Sequence, residues 1–143
     1  QAGETDDIIR NKVGMLLDND ITPILCCGEN RYDREKGHEH DVITDQLDNL
    51  DNYLSHMVIA YEPVWAIGGN TAASLRQIQD MHAHIRKILS YNNVPILYGG
   101  SCNPINATEI FSDPNVDGGL IGRASLIPDQ FIKLIDIAKL AKF

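Results

Sequence analysis

The chain has 143 residues, enough for one domain with a real core and too few for two ordinary ones. Its 43% hydrophobic content predicts a folded protein, and a formal charge of −8 excludes a non-specific nucleic-acid binder, which carries a basic patch. No apolar run approaches the roughly 18 residues of a membrane span, and Gln1 to Asp7 does not read as a secretory signal, so neither nucleic acid nor membrane is an expected partner.

Thr5 is predicted to cap a helix running through Ile8, Ile9, Lys12, Val13, Leu16 and Leu17 and ending near Asn19. Residues 21–27, ITPILCC, read as a short apolar strand, followed by a charged loop from Glu29 to Gly37 and a helix through Val42, Ile43, Gln46, Leu47 and Leu50. His56 to Tyr61 is the second strand. Ser74 can cap a long helix whose apolar residues, Leu75, Ile78, Met81, Ile85, Ile88 and Leu89, have helical spacing. Val94 to Tyr98 is the third strand, with Pro104 placed in the first turn of a helix to about Phe111. Val116 to Ile121 is the fourth, and Pro128 opens a last helix through Phe131, Leu134, Ile135 and Ala138.

One helix followed by four strand–helix units implies parallel pairing, since a parallel neighbour needs a crossover. Two architectures fit: an open α/β sheet, or part of a (βα)8 barrel. Each strand ends in a loop of unusual residues, Gly28-Glu29, Glu62-Pro63, Gly99-Gly100-Ser101 and Gly122-Arg123. A barrel brings all such ends to one rim, where functional groups collect, and the pattern favours it.

The cysteines, Cys26, Cys27 and Cys102, form no disulfide framework and suit a reducing, cytoplasmic setting. Cys/His spacing of the zinc type does not occur. His38 and His40 flank Glu39, and His82 and His84 stand two apart on a predicted helix, so neither pair shares a helical face and no metal site is expected.

The loops carry the chemistry. Gly68-Gly69, Gly99-Gly100-Ser101 and Gly122 expose backbone N–H groups that can form anion nests, so phosphate can be held without a basic residue. The same glycines could do no more than make tight turns. Glu62 closes a strand and is followed by an apolar loop, Val64-Trp65-Ala66-Ile67, lying between Pro63 and the Gly68-Gly69 pair like a stiff lid between hinges. A Glu that loses water as such a lid closes becomes a better proton acceptor. Trp65 and Ile67 could instead be core residues in an irregular connection.

The segment AYEPVWAIG, residues 60–68, resembles the catalytic-base and lid motif of the triosephosphate isomerase family. PILCCGE (23–29), YGGS (98–101) and DGGLIGRASL (117–126) resemble that family's later strand-end motifs in the same order, so the resemblance spans essentially the whole chain. It implies a single partial (βα)8-barrel domain over residues 1–143, made of the last four βα units. It also implies cofactor-free interconversion of dihydroxyacetone phosphate and glyceraldehyde 3-phosphate, a step of glycolysis and gluconeogenesis. Glu62 would be the general base acting through an enediol(ate). Gly68 would supply a lid amide to the phosphate, Ser101 a phosphate contact, Gly122 and Arg123 two backbone amides, and Tyr98 support for the closed lid of Pro63 to Ile67. Triose phosphate, or inorganic phosphate or sulfate in its place, is the implied ligand.

Three departures accompany the match. The family's substrate-binding lysine and electrophilic histidine belong to the part of its pattern that precedes residue 1. Gly69-Asn70-Thr71 replaces the usual Thr-Gly-Lys, and Arg123 stands where glycine is usual. Weak or absent activity alone is therefore expected, the other reading being a non-catalytic phosphate-binding or self-assembling half-barrel. Half a barrel would leave two edge strands, Ile21–Cys27 and Val116–Ile121, and an uncovered apolar face, so homo-oligomerisation is expected.

Overall fold

The computed structural model describes residues 3–67, 72–90 and 93–142. Helix α1, Asp6–Leu17, starts at Thr5, whose hydroxyl accepts the Ile8 N–H at 3.5 Å. Strand β1 is Ile24–Cys27, shorter than the expected 21–27. Pro23 has no N–H to donate, and only its carbonyl joins the ladder, accepting from Val58 N at 2.9 Å.

The stretch from Glu29 to Gly37 is not a loop. It contains a single helical turn and a half, α2, Arg31–Glu35, capped by the Asn30 side chain. This helix buries none of its residues, so it has no apolar period to betray it. Helix α3, Glu39–Asp48, buries Ile43 and Leu47. A 3-10 turn over Asp51–His56 then delays β2 to Val58–Tyr61.

Helix α4, Leu75–Ile88, opens with a capping box: Gln77 N donates to Ser74 Oγ, and the Gln77 side chain accepts from Ser74 N. Strand β3 is Ile96–Tyr98. Helix α5 begins at Ala107 rather than at Pro104 and ends at Phe111. Before it, the side chains of Asn103 and Asn106 accept N–H groups of Ile105 and Asn103, and these local bonds hold a turn in place of a first helical turn. Strand β4 is reduced to Gly118–Gly119, and helix α6 runs from Pro128 to Lys142.

All pairings are parallel and the strand order is β1-β2-β3-β4. Right-handed crossovers that always advance one way lay the helices between successive strands on the same face. The contacts agree, α3 touching α4, α4 touching α5 and α5 touching α6. A doubly wound sheet would reverse its order part-way; this one is an arc of a (βα)8 barrel.

Register divides the side chains. Cys27, Ile59, Tyr61, Ile96 and Tyr98 join one buried cluster with Ile43, Leu47, Ile78, Met81, Ile85 and Leu134 of the helices. By alternation, Ile24, Cys26, Val58, Ala60 and Leu97 face the other way. Ile24 there is 51% exposed, and Ile21 just before the strand 52%. As expected, β1 and β4 are the two ends of the sheet.

Candidate active site

Glu62 follows Tyr61 and so shares the helix-free face with Val58 and Ala60. Its backbone is fixed by an N–H bond to Cys27 O at 2.8 Å, while Gly99 N donates to Tyr61 O at 2.8 Å beside it. The two neighbouring strand ends approach so closely that no side chain fits between. A Cβ on Gly28 would lie 1.8 Å from the Glu62 carbonyl oxygen, and one on Gly99 would lie 2.7 Å from Glu62 Cγ. Gly28 is held in turn by Gln46, whose side chain accepts from Gly28 N at 3.0 Å and donates to Gly28 O at 3.2 Å. Partial burial raises the Glu62 pKa above the usual carboxylate range. That change makes it a stronger proton acceptor once ionised.

Behind Glu62 lies a second carboxylate, fully buried. Glu29 Oε1 accepts from Trp65 Nε1 at 2.7 Å, Arg34 Nη1 at 2.7 Å and the Tyr61 hydroxyl at 3.1 Å. Arg34 also stacks on the Trp65 ring, 4.8 Å from its centroid. Burial first, then the Glu29 charge, pushes the Tyr61 phenol up, so it stays a proton donor to Glu29. Trp65 is thus anchored by its indole N–H. The lid segment begins at buried Pro63, turns through a 3-10 helix at Val64–Ala66, and reaches Ile67, which is exposed. Gly68, assigned a lid amide, and its neighbour Gly69 lie outside the described residues.

Two cavities flank this rim. The first, about 520 Å³, is lined by Glu62, Val64, Cys26, Gly28, Gln46 and Asp33 among others. The second, about 600 Å³, is lined by Ala66, Ile67, Gly99, Gly100, Ser101, Gly122 and Arg123 among others. The structure thus brings Ser101, Gly122 and Arg123 together in one cavity and puts Glu62 in the other, Glu62 packing against Gly99 of the second cavity's wall. Tyr98 lies beneath, buried, its ring so close to Gly100 that a Cβ there would meet the hydroxyl at 2.2 Å. Among the described residues, no group of three or more His, Cys, Asp or Glu could hold a metal ion, and no helix is long and apolar enough to cross a membrane.

The family model for triosephosphate isomerase matches residues 1–138. The chain belongs to the triosephosphate isomerase family. It is 49% identical to triosephosphate isomerase of Hydrogenovibrio crunogenus over 95% of its own length and 58% of that protein's. Against the Porphyromonas gingivalis and Lactobacillus delbrueckii subsp. bulgaricus enzymes, identity is 46% and 43%, with 93% of this chain and 58% of each relative covered. The chain therefore spans somewhat more than half the length of these triosephosphate isomerases.

Two residues of this family member's rim went unread in the sequence. Gln46 lies on the helical stripe with Ile43, Leu47 and Leu50, and a polar residue on an apolar stripe is itself a signal of a hydrogen-bonding duty. Glu29 stands in the sequence as a strand-end residue. Its position two after buried Cys27, on the helix-facing side, was the available clue.

Proposed function

We propose that Glu62 is the general base of an aldose–ketose isomerisation, moving a proton between adjacent carbons of a triose phosphate through an enediol(ate). Dihydroxyacetone phosphate and glyceraldehyde 3-phosphate are the substrate pair, with the phosphate in the cavity of Ser101, Gly122 and Arg123. One observation carries this reading: Glu62 Cγ packs against Gly99, whose neighbours Gly100 and Ser101 line that cavity. Base and anion pocket are one residue apart. The chemistry is a proton relocation with no net redox change, so this reading calls for no cofactor.

The developing oxyanion needs a donor, and losing one costs about 3 kcal/mol or more. None of the histidines lines either cavity described above. In this reading the chain supplies the base and the phosphate side, while the lysine and histidine belong to the portion of the family pattern it does not span. Turnover by the 143-residue chain alone is expected to be weak or nil. A coupled assay for glyceraldehyde 3-phosphate, run on the chain and on Glu62→Gln, tests this. Turnover lost in the variant supports catalysis; turnover equal in both would sink the role of Glu62.

The second reading is a non-catalytic, self-assembling phosphate-binding half-barrel. It draws support from the half-exposed Ile21 and Ile24 at the β1 edge. Homo-oligomers that cover this edge are the expected state in solution, and the three free thiols suit the reducing cytoplasm. Sedimentation velocity in dilute buffer decides: a stable compact monomer would end the oligomer proposal.

A further inference from the structure

The phosphate cavity holds one charged side chain among its described lining residues, Arg123, and no carboxylate. Arg123 is exposed, and among the described residues its guanidinium has neither an ion-pair nor a hydrogen-bond partner. Nor do the N–H groups of Gly100, Ser101 and Gly122 donate to any backbone or side-chain acceptor among those residues. Cys102 on the same wall is a neutral thiol, burial pushing its pKa up to about 11, so it adds no negative charge. Arg123, its guanidinium unpaired among the described residues, thus lines one cavity with three residues whose amide donors have no partner there, in a chain of net charge −8.

We propose that the Arg123 side chain, and not its backbone N–H alone, is a direct ligand of the bound phosphate. Resting on the reading of this cavity as the phosphate pocket, the inference assigns the chain an anion site of mixed type. Amides fix the position of the group, and a guanidinium forms a charge-assisted, paired contact with two of its oxygens. The overall negative charge disfavours a dianion only at long range, where physiological salt screens it within about 8 Å. A contact cation is screened much less. The ligand class is a terminal phosphate monoester or inorganic phosphate, in which at least two oxygens are free.

Inorganic phosphate is the probe, titrated into the full chain with amide chemical shifts and calorimetry as readouts. Wild type should bind with shifts at Gly100, Ser101 and Gly122. Arg123→Gln should weaken binding roughly tenfold or more and flatten its salt dependence, while Arg123→Lys should keep much of both. Equal affinity in wild type and Arg123→Gln would overturn the side-chain role and leave the pocket reading standing. Absence of binding, or shifts confined to other regions, would overturn the pocket reading and this inference together. An unchanged amide spectrum away from residue 123 establishes that the variants are folded.

Discussion

The rim has two halves that treat their polar groups in opposite ways. Around Glu29, donors from three different segments, Arg34, Tyr61 and Trp65, converge on one buried oxygen. Around Ser101 and Gly122, the N–H groups and the one cation have no protein partner among the described residues. A group buried without a partner is costly, so the burial of Glu29 depends on these bonds to Oε1, the more so because its Oε2 is buried with no partner among the described residues. The second half lies open to water, where unpartnered donors cost little and remain available to a ligand. Glu62 stands between them, its backbone held like the first half and its carboxylate without a hydrogen-bond partner among the described residues, like the second.

Breaking the first half should produce the largest effect. Glu29→Ala leaves a guanidinium, an indole N–H and a phenol without their shared acceptor, a loss expected to be about 3–5 kcal/mol of unfolding free energy in urea. Trp65 is the only tryptophan in the chain, so its fluorescence should move as the indole loses its acceptor. Glu29→Gln, which keeps a carbonyl acceptor, should recover part of the stability. A Glu29→Ala protein within about 0.5 kcal/mol of wild type would show that the convergence is incidental.

The distances along the chain explain which half could be foreseen. Helix α4 was legible because Ile78, Met81 and Ile85 repeat at helical spacing and are all buried. The parallel arc was legible from strand–helix alternation, and Glu62 from a charge directly after a buried strand. The glycine-rich ends of β3 and β4 were legible one at a time, as candidate anion sites. Their sharing of one cavity follows from β3 and β4 being neighbours. The Glu29 cluster joins residues 5, 32 and 36 positions away, of which no local pattern gives notice. Helix α2, which positions Arg34, buries nothing and so leaves no apolar period in the sequence.

A pH titration tests the contrast where the packed side itself departs from it. His82 is fully buried between strand and helix, its ring near those of Tyr61 and Tyr98. Nδ1 bonds to Asn115 O at 3.2 Å, but buried Nε2 has no partner among the described residues. Burial lowers its pKa to about 4, against the partial opposition of Asn115 O, Asp113 and Asp117 and with a smaller push from Arg86. Between about pH 6.5, where the unfolded imidazole takes up a proton, and pH 4, the unfolded state binds more protons than the folded one. Stability therefore falls as pH drops through that window and is complete above it, by an amount on the order of 3 kcal/mol. His84, lowered by burial and by His40, adds in the same direction. Subtracting the pH profile of His82→Gln isolates the His82 share; coincident profiles would mean that His82 takes up its proton as readily in the fold as in the unfolded chain.

The smallest effect on stability should come from the open half, and there it sharpens the contrast most. The Ser101 side chain is exposed and makes no hydrogen bond among the described residues, its carbonyl alone accepting from Asn106 Nδ2 at 3.0 Å. Ser101→Ala removes nothing the fold uses, so unfolding free energy should stay within about 0.5 kcal/mol of wild type. If the hydroxyl donates to bound phosphate, affinity for inorganic phosphate should fall roughly threefold to tenfold, the worth of one net hydrogen bond. A stability loss above 1 kcal/mol with phosphate affinity intact would reverse the assignment, making Ser101 part of the scaffold. The separation of the two readouts is what distinguishes a group kept for a ligand from a group kept for the fold.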